Sequence, residues 1–302
     1  MARSEKSAFV LSGGASLGAI QIGMLQALYE RRISPDLIIG TSAGALNGGF
    51  IASRPQTTDT ADELAEVWRG IGRRQVFPPN PITGFLGFFG LKDHLVPDGN
   101  LRRIVRRQIE FERLEQAAIP FHVIATDALS GREVRLSRGP AEDAVMASAA
   151  IPGIFGPVRL DGRELIDGGV SNNTPISHAI ELGAQTVYIL PTGNACDLPE
   201  PPHGALGMLL HAMSLLVMRR LLIEVESLKD RARLIVLPPP CPLAISPIDF
   251  GRTDELIRRG LAGARCYLDE VERGTAAVPL QMSMHDHRRS RNATPRAPAS
   301  RH

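Results

Sequence analysis

Aromatic side chains are scarce in this 302-residue chain, at 5% of residues with a single tryptophan. Aliphatic residues must therefore fill most of the interior. Cysteine is scarcer still: Cys196, Cys241 and Cys266 are odd in number and far apart. That excludes a disulfide framework and the close spacing of a cysteine-rich metal site, and it makes a reducing compartment the default. No apolar run reaches the roughly 20 residues of a membrane-spanning helix. The apolar run that follows Lys6 is cut at Ser12-Gly13-Gly14, too soon for a secretory signal. The expected location is the cytoplasm, with peripheral contact to a membrane. Excess charge of one sign is also missing, the formal net charge being +2. Positive charge gathers in residues 274–302, where Arg288, Arg289, Arg291, Arg296 and Arg301 face Asp286 alone. The mildly acidic remainder argues against a nucleic-acid partner.

What is present is the composition of a globular protein, 43% hydrophobic and 22% charged. We read residues 1–273 as one large domain. Residues 274–302, rich in Pro, Ala, Ser and Arg, read as a basic, disordered tail. Near the start, apolar Ala8–Leu11 precedes a glycine turn and a helical pattern from about Gly18 to Arg32, with Ile20, Met24, Ala27 and Leu28 on one face. Leu37-Ile38-Ile39 then leads into a small-residue helix at Ser42-Ala43-Gly44. Further buried strands are expected at 121–126, 186–190 and 233–237. A hairpin is expected around Asp161-Gly162. A helix capped by Thr174 with Pro175 in its first turn follows, and the last helix runs from about Thr253 to Val271. Strands alternating with helices predict an α/β fold with a mainly parallel sheet between two helical layers, a three-layer α/β/α sandwich. Two apolar segments stand out as membrane-contact candidates. Residues 77–96 contain Phe85–Leu91, which reads as a lid, and residues 204–220 end in Arg219-Arg220.

Three motifs carry chemistry. Gly40-Thr41-Ser42-Ala43-Gly44 is a G-x-S-x-G pentapeptide between a strand and a helix, the setting in which a tight turn exposes a nucleophilic hydroxyl at a helix N-terminus. Ser12-Gly13-Gly14-Ala15-Ser16-Leu17-Gly18 is a glycine-rich turn whose backbone amides suit a tetrahedral oxyanion. Gly14 and Ala15 are the expected donors, with Gly13 shaping the turn. Asp167-Gly168-Gly169, ending the hairpin, supplies a carboxylate that becomes a base for Ser42 if close and desolvated. Asp127 is a weaker candidate for the same role, because Ser130-Gly131 beside it reads as a surface turn.

Together and in this order, these motifs resemble the patatin-like phospholipases over residues 8–190. Leu11–Gly14, Gly18, Ile22-Gly23, Ala147–Phe155 and Asn172–Pro175 extend the resemblance. It implies a Ser42–Asp167 dyad cleaving acyl esters of lipids through an acyl-serine, with Gly13, Gly14 and Ala15 at the oxyanion hole and no metal or cofactor. The partners implied are a lipid or acyl-ester substrate and a membrane surface; a homodimer stays open. The chain departs from the family pattern at Ala15, which replaces a glycine, and at Leu17, which stands where Arg or Lys is usual. The lost cation shifts the expected preference away from anionic head groups. Three other readings compete. A Ser-His-Asp hydrolase would need one of His178, His203, His211, His285 or His287. A dinucleotide site is mismatched at Ala15 and lacks the acid after the second strand. A catalytically weak lipid-binding or regulatory relative would keep the fold alone.

Overall fold

The computed structural model describes residues 5–77, 95–193, 204–243 and 245–276. The Phe85–Leu91 segment expected to act as a lid lies outside them, as does the tail from residue 277.

Period-two alternation in the first strand sets the architecture. In β1 (Ser7–Leu11), Ala8 and Val10 enter one buried cluster, and Phe9 and Leu11 enter another on the opposite face. Strands β2 (Leu37–Thr41), β3 (Phe121–Asp127), β7 (Thr186–Leu190) and β8 (Arg233–Val236) are similarly aliphatic. They pair in parallel in the order β3-β2-β1-β7-β8. A parallel sheet must be covered on both faces. Helices α1 (Ala19–Glu30), α2 (Ala43–Ala52), α3 (Thr58–Arg69), α4 (Arg73–Val76), α5 (Gly99–Gln108), α6 (Ala141–Ser148) and α9 (Thr253–Glu272) cover one face. Helices α7 (Ile176–Glu181) and α8 (Ala205–Leu228) cover the other. The molecule is thus a three-layer α/β/α sandwich with a mixed, mainly parallel sheet.

Three antiparallel strands complete it. β5 (Val158–Leu160) and β6 (Arg163–Asp167) form the expected hairpin. Asp161 and Gly162 both take the positive φ that a type I′ turn requires. The sequence reading missed β4 (Glu133–Leu136), whose alternation of exposed Glu133 and Arg135 with more buried Val134 and Leu136 spans only four residues, too short to stand out as a strand.

The lane that β6 occupies positions the site. Ile124 pairs with Thr41 of β2 and with Arg135 of β4, so β2 and β4 flank β3 on opposite sides. Ala125 pairs with Val134 of β4 and with Asp167 of β6. β6 therefore continues the lane of β2 and meets its end head-on. Where β2 stops at Thr41, the next place along β3 belongs to Asp167.

Two expectations need adjustment. Helix α1 is buried on nearly all sides, not along one stripe, because it lies between the sheet and α9. The helix expected to be capped by Thr174 begins at Ile176, with Pro175 at the cap position. Among the described residues, no helix is long and apolar enough to cross a membrane.

Candidate active site

The chain leaves β2 through Ser42, whose φ of 53° and ψ of −121° lie outside the helical and extended regions. A non-glycine residue holds such a turn only when its surroundings over-determine it. Two constraints do so. The Ser42 N–H donates to Ser148 Oγ at 2.8 Å, and that hydroxyl donates to the Ile124 carbonyl at 2.5 Å. At Gly44, a Cβ would stand 2.2 Å from the Leu11 carbonyl oxygen, so only glycine lets the new helix lie this close to β1.

This turn lifts the Ser42 hydroxyl toward the end of β6. Ser42 Oγ donates to Asp167 Oδ2 at 2.7 Å. The other carboxylate oxygen accepts the Gly169 N–H at 2.7 Å. Both side chains are buried, each 7% exposed. Burial pushes the Asp167 carboxyl up to about 6, and the hydrogen bonds from Gly169 and Ser42 pull partly the other way. The backbone around Asp167 is anchored too, its N–H donating to the Ala150 carbonyl and its carbonyl accepting from Thr126 Oγ1.

The glycine-rich turn forms the facing wall. The Gly13 N–H points to the Asn173 carbonyl at 3.4 Å. The Gly13 carbonyl accepts from Asn173 Nδ2 at 3.2 Å and from Thr192 Oγ1 at 2.5 Å. Gly13 is thus engaged in holding the loop. The amides of Gly14 and Ala15 have no acceptor among the described residues, and both residues line the cavity that contains Ser42 and Asp167. Ala15 sits at a φ of 49°, a conformation that glycine would adopt without strain. Leu17, in the place of the usual cation, is buried and forms part of the cavity wall. Other contacts hold the loop instead: Ser16 bonds through N–H and hydroxyl to the carbonyls of Pro247 and Ser246. A buried amide chain adds to this. Trp68 Nε1 donates to Asn47, Asn47 Nδ2 donates to Gln21 Oε1, and Gln21 Nε2 donates to the carbonyls of Ser12 and Leu190.

Sequence reasoning assigned no role to Ser148, Asn173, Thr192 or Gln21. Ser148 and Asn173 lie inside segments singled out by their resemblance. Thr192 and Gln21 carry no local signal, since a hydroxyl or amide on an element reveals nothing of the distant carbonyl it meets. The rival acid, Asp127, accepts hydrogen bonds from Ser130 and Leu129 in its own turn, which hold its carboxyl below the usual range. His178 lies within 3.2 Å of both Glu133 and Glu181 and is absent from the lining of the Ser42 cavity. Asp167 contacts Ser42 directly, leaving no room for a histidine between them. Among the described residues, no three His, Cys, Asp or Glu side chains come together as a metal site.

A family model described as patatin-like phospholipase matches residues 9–180 of this chain. The chain belongs to the patatin-like phospholipase family. That is a family of hydrolases acting on ester bonds. Its matched segment ends just after the Asn172–Pro175 turn and so contains Ser42, Asp167 and the glycine-rich loop. Uncharacterized NTE family proteins of Mycobacterium bovis and Mycobacterium tuberculosis are 33% identical over 178 residues, covering 58% of this chain and 45% of theirs. Lysophospholipase NTE1 of Mycosarcoma maydis is 27% identical over 202 residues, 65% of this chain and 10% of its own length. This patatin-like chain thus spans less than half the length of these relatives. Among solved structures, VipD from Legionella pneumophila superposes with a TM-score of 0.49 at 15% identity, covering 90% of this chain and 67% of that one.

Proposed function

We propose that this patatin-like protein is a serine lipid acyl hydrolase, with Ser42 as nucleophile and Asp167 as its base. The observation that carries the reading is the 2.7 Å hydrogen bond from Ser42 Oγ to a buried carboxylate beneath two uncommitted backbone amides. A serine hydroxyl is a poor nucleophile until a positioned base accepts its proton. Asp167 takes that proton as Ser42 Oγ bonds to the ester carbonyl carbon. The oxyanion rests on the N–H groups of Gly14 and Ala15, each donor being worth about 3 kcal/mol in the transition state. The tetrahedral intermediate collapses, the C–O bond to the alcohol breaks, and the proton on Asp167 passes to the leaving alkoxide. Water, deprotonated by the same carboxylate, then hydrolyses the acyl-serine.

The substrate end of the reading rests on the cavity wall. Leu17, Ile151, Met213, Val217, Met218 and Leu221 make it largely apolar, as an acyl chain requires. Helix α8 turns a second face outward. Leu209, Leu216 and Ile223, spaced by seven residues, are 55%, 70% and 69% exposed. This stripe supports peripheral docking on a lipid surface, with substrate passing beside the same helix to Ser42.

A fluorophosphonate probe tests the nucleophile. We expect labelling at Ser42 in the folded protein and loss of labelling in Ser42→Ala. Short-chain p-nitrophenyl ester hydrolysis should fall by at least about 10³-fold in Ser42→Ala and in Asp167→Asn. Near-full turnover by either folded variant would overturn the assignment.

A further inference from the structure

A second cavity, of about 220 Å³, opens on the outer side of the Ser42 cavity. The two share Gly169, Asn173, Met213 and Val217 as a common wall, so they are adjoining compartments beside one reaction centre. Their linings differ in kind. The Ser42 cavity contains no charged side chain besides Asp167. The outer compartment adds Arg220 and Glu224 of α8. These lie four residues apart on one helix face, about 6 Å along the axis. Among the described residues, no ion pair within 4.0 Å joins them, and Arg220 has no other acidic partner at that range. Glu224 is half-buried and accepts the Ser177 N–H at 3.1 Å, which fixes its carboxylate at the cavity edge. Burial raises its carboxyl, the Ser177 hydrogen bonds and Arg220 pulling partly the other way, so an approaching cation would relieve a desolvated anion.

A cation and an anion one helix turn apart, in a compartment that adjoins the Ser42 cavity, make a charge pattern rather than a charge. A neutral leaving group leaves both unused. A leaving group with only negative charge gains Arg220 but meets Glu224 with the wrong sign. A phosphate joined to an ammonium through two carbons satisfies both. We propose that this compartment is a head-group subsite for a zwitterion, in which Arg220 takes the phosphate and Glu224 the ammonium of a phosphocholine- or phosphoethanolamine-type leaving group. It rests on the reading of Ser42 as the acyl acceptor, and it locates the selective cation on α8, not in the glycine-rich loop where Leu17 replaces it.

The test separates binding from turnover. Three non-hydrolysable ethers with the same short alkyl chain, all kept monomeric, are titrated into Ser42→Ala: an alkylglycerol, its phosphoglycerol derivative and its phosphocholine derivative. We expect the phosphocholine ether to bind tightest. Arg220→Ala should cut its affinity about tenfold relative to the alkylglycerol, the scale of one charge-assisted hydrogen bond. Glu224→Gln, which keeps the acceptor for the Ser177 N–H, should narrow the gap between phosphocholine and phosphoglycerol ethers at least about threefold, by removing the ammonium's partner. Equal affinities for the three ethers, or equal effects of both variants on all three, would overturn the subsite. Hydrolysis of a neutral p-nitrophenyl ester by the wild-type protein, absent in Ser42→Ala, would leave the hydrolase reading standing in that event.

Discussion

At the scale of single residues, the proposed mechanism makes the protonation of Asp167 govern both activity and stability. As a base it must be ionised, so kcat/KM on a neutral ester should rise with pH and level off above a midpoint near 6. A profile flat from pH 5 to 8 would remove Asp167 from the role. The effect on stability has the opposite sense. The folded-state value lies above the unfolded one, so the ionised form is the one that burial penalises. Well below the unfolded value of about 4 both states are protonated and the penalty is absent; it grows as pH rises from there through the folded value near 6 and is complete above it. An asparagine keeps an acceptor for the Gly169 N–H and offers its amide N–H to Ser42 Oγ, without the charge. Asp167→Asn should therefore be more stable than wild type by ~2 kcal/mol at pH 8, with the gain vanishing well below pH 4, as read by thermal unfolding across pH. The identities of Ser42 and Asp167 were legible from their glycine settings. The supporting hydroxyls of Ser148 and Thr192 were not, because their partners are backbone carbonyls on other elements.

At the scale of elements, helix α8 serves two environments. Met213, Val217 and Leu221 line the Ser42 cavity, while Leu209, Leu216 and Ile223 point outward. Such a helix shows little amphipathic pattern in sequence, since both faces are apolar, and only its packing separates inward from outward. If the outer face meets lipid, Leu216→Glu combined with Ile223→Glu should reduce co-sedimentation with phospholipid vesicles several-fold, because each change replaces buried apolar area with charge. Hydrolysis of a water-soluble ester should fall less than hydrolysis of vesicle lipid. The glycine-rich turn is the other element that departs from expectation. Ala15 holds a left-handed φ that costs an L-residue about 1 kcal/mol, so Ala15→Gly should raise stability by up to that amount, less the entropy glycine adds to the unfolded chain.

At the scale of the whole molecule, the site exists because two strands share one lane. β2 arrives parallel to β3 and β6 arrives antiparallel, so their ends meet with Ser42 leaving one and Asp167 closing the other. The junction is tight. A Cβ on Gly168 would fall 2.2 Å from the Ile124 carbonyl oxygen and 2.9 Å from Thr41 Cγ2. Gly168→Ala should thus force β6 back along its lane, destabilising the fold by about 3 kcal/mol or more and abolishing ester hydrolysis together. Unfolding and activity measured on one preparation check both consequences.

Sequence alone determined the strand–helix alternation, the hairpin at Asp161-Gly162 and the tight strand-to-helix turn at Ser42, because each depends on residues within one element's reach. It also marked Asp167, through the glycines that follow it. The tertiary structure decided which carboxylate meets Ser42, which loop amides stay uncommitted and which face of α8 turns outward. Those depend on hydrogen-bond partners and strand lanes set by residues more than a hundred positions apart, and no local pattern of residue types encodes such a meeting.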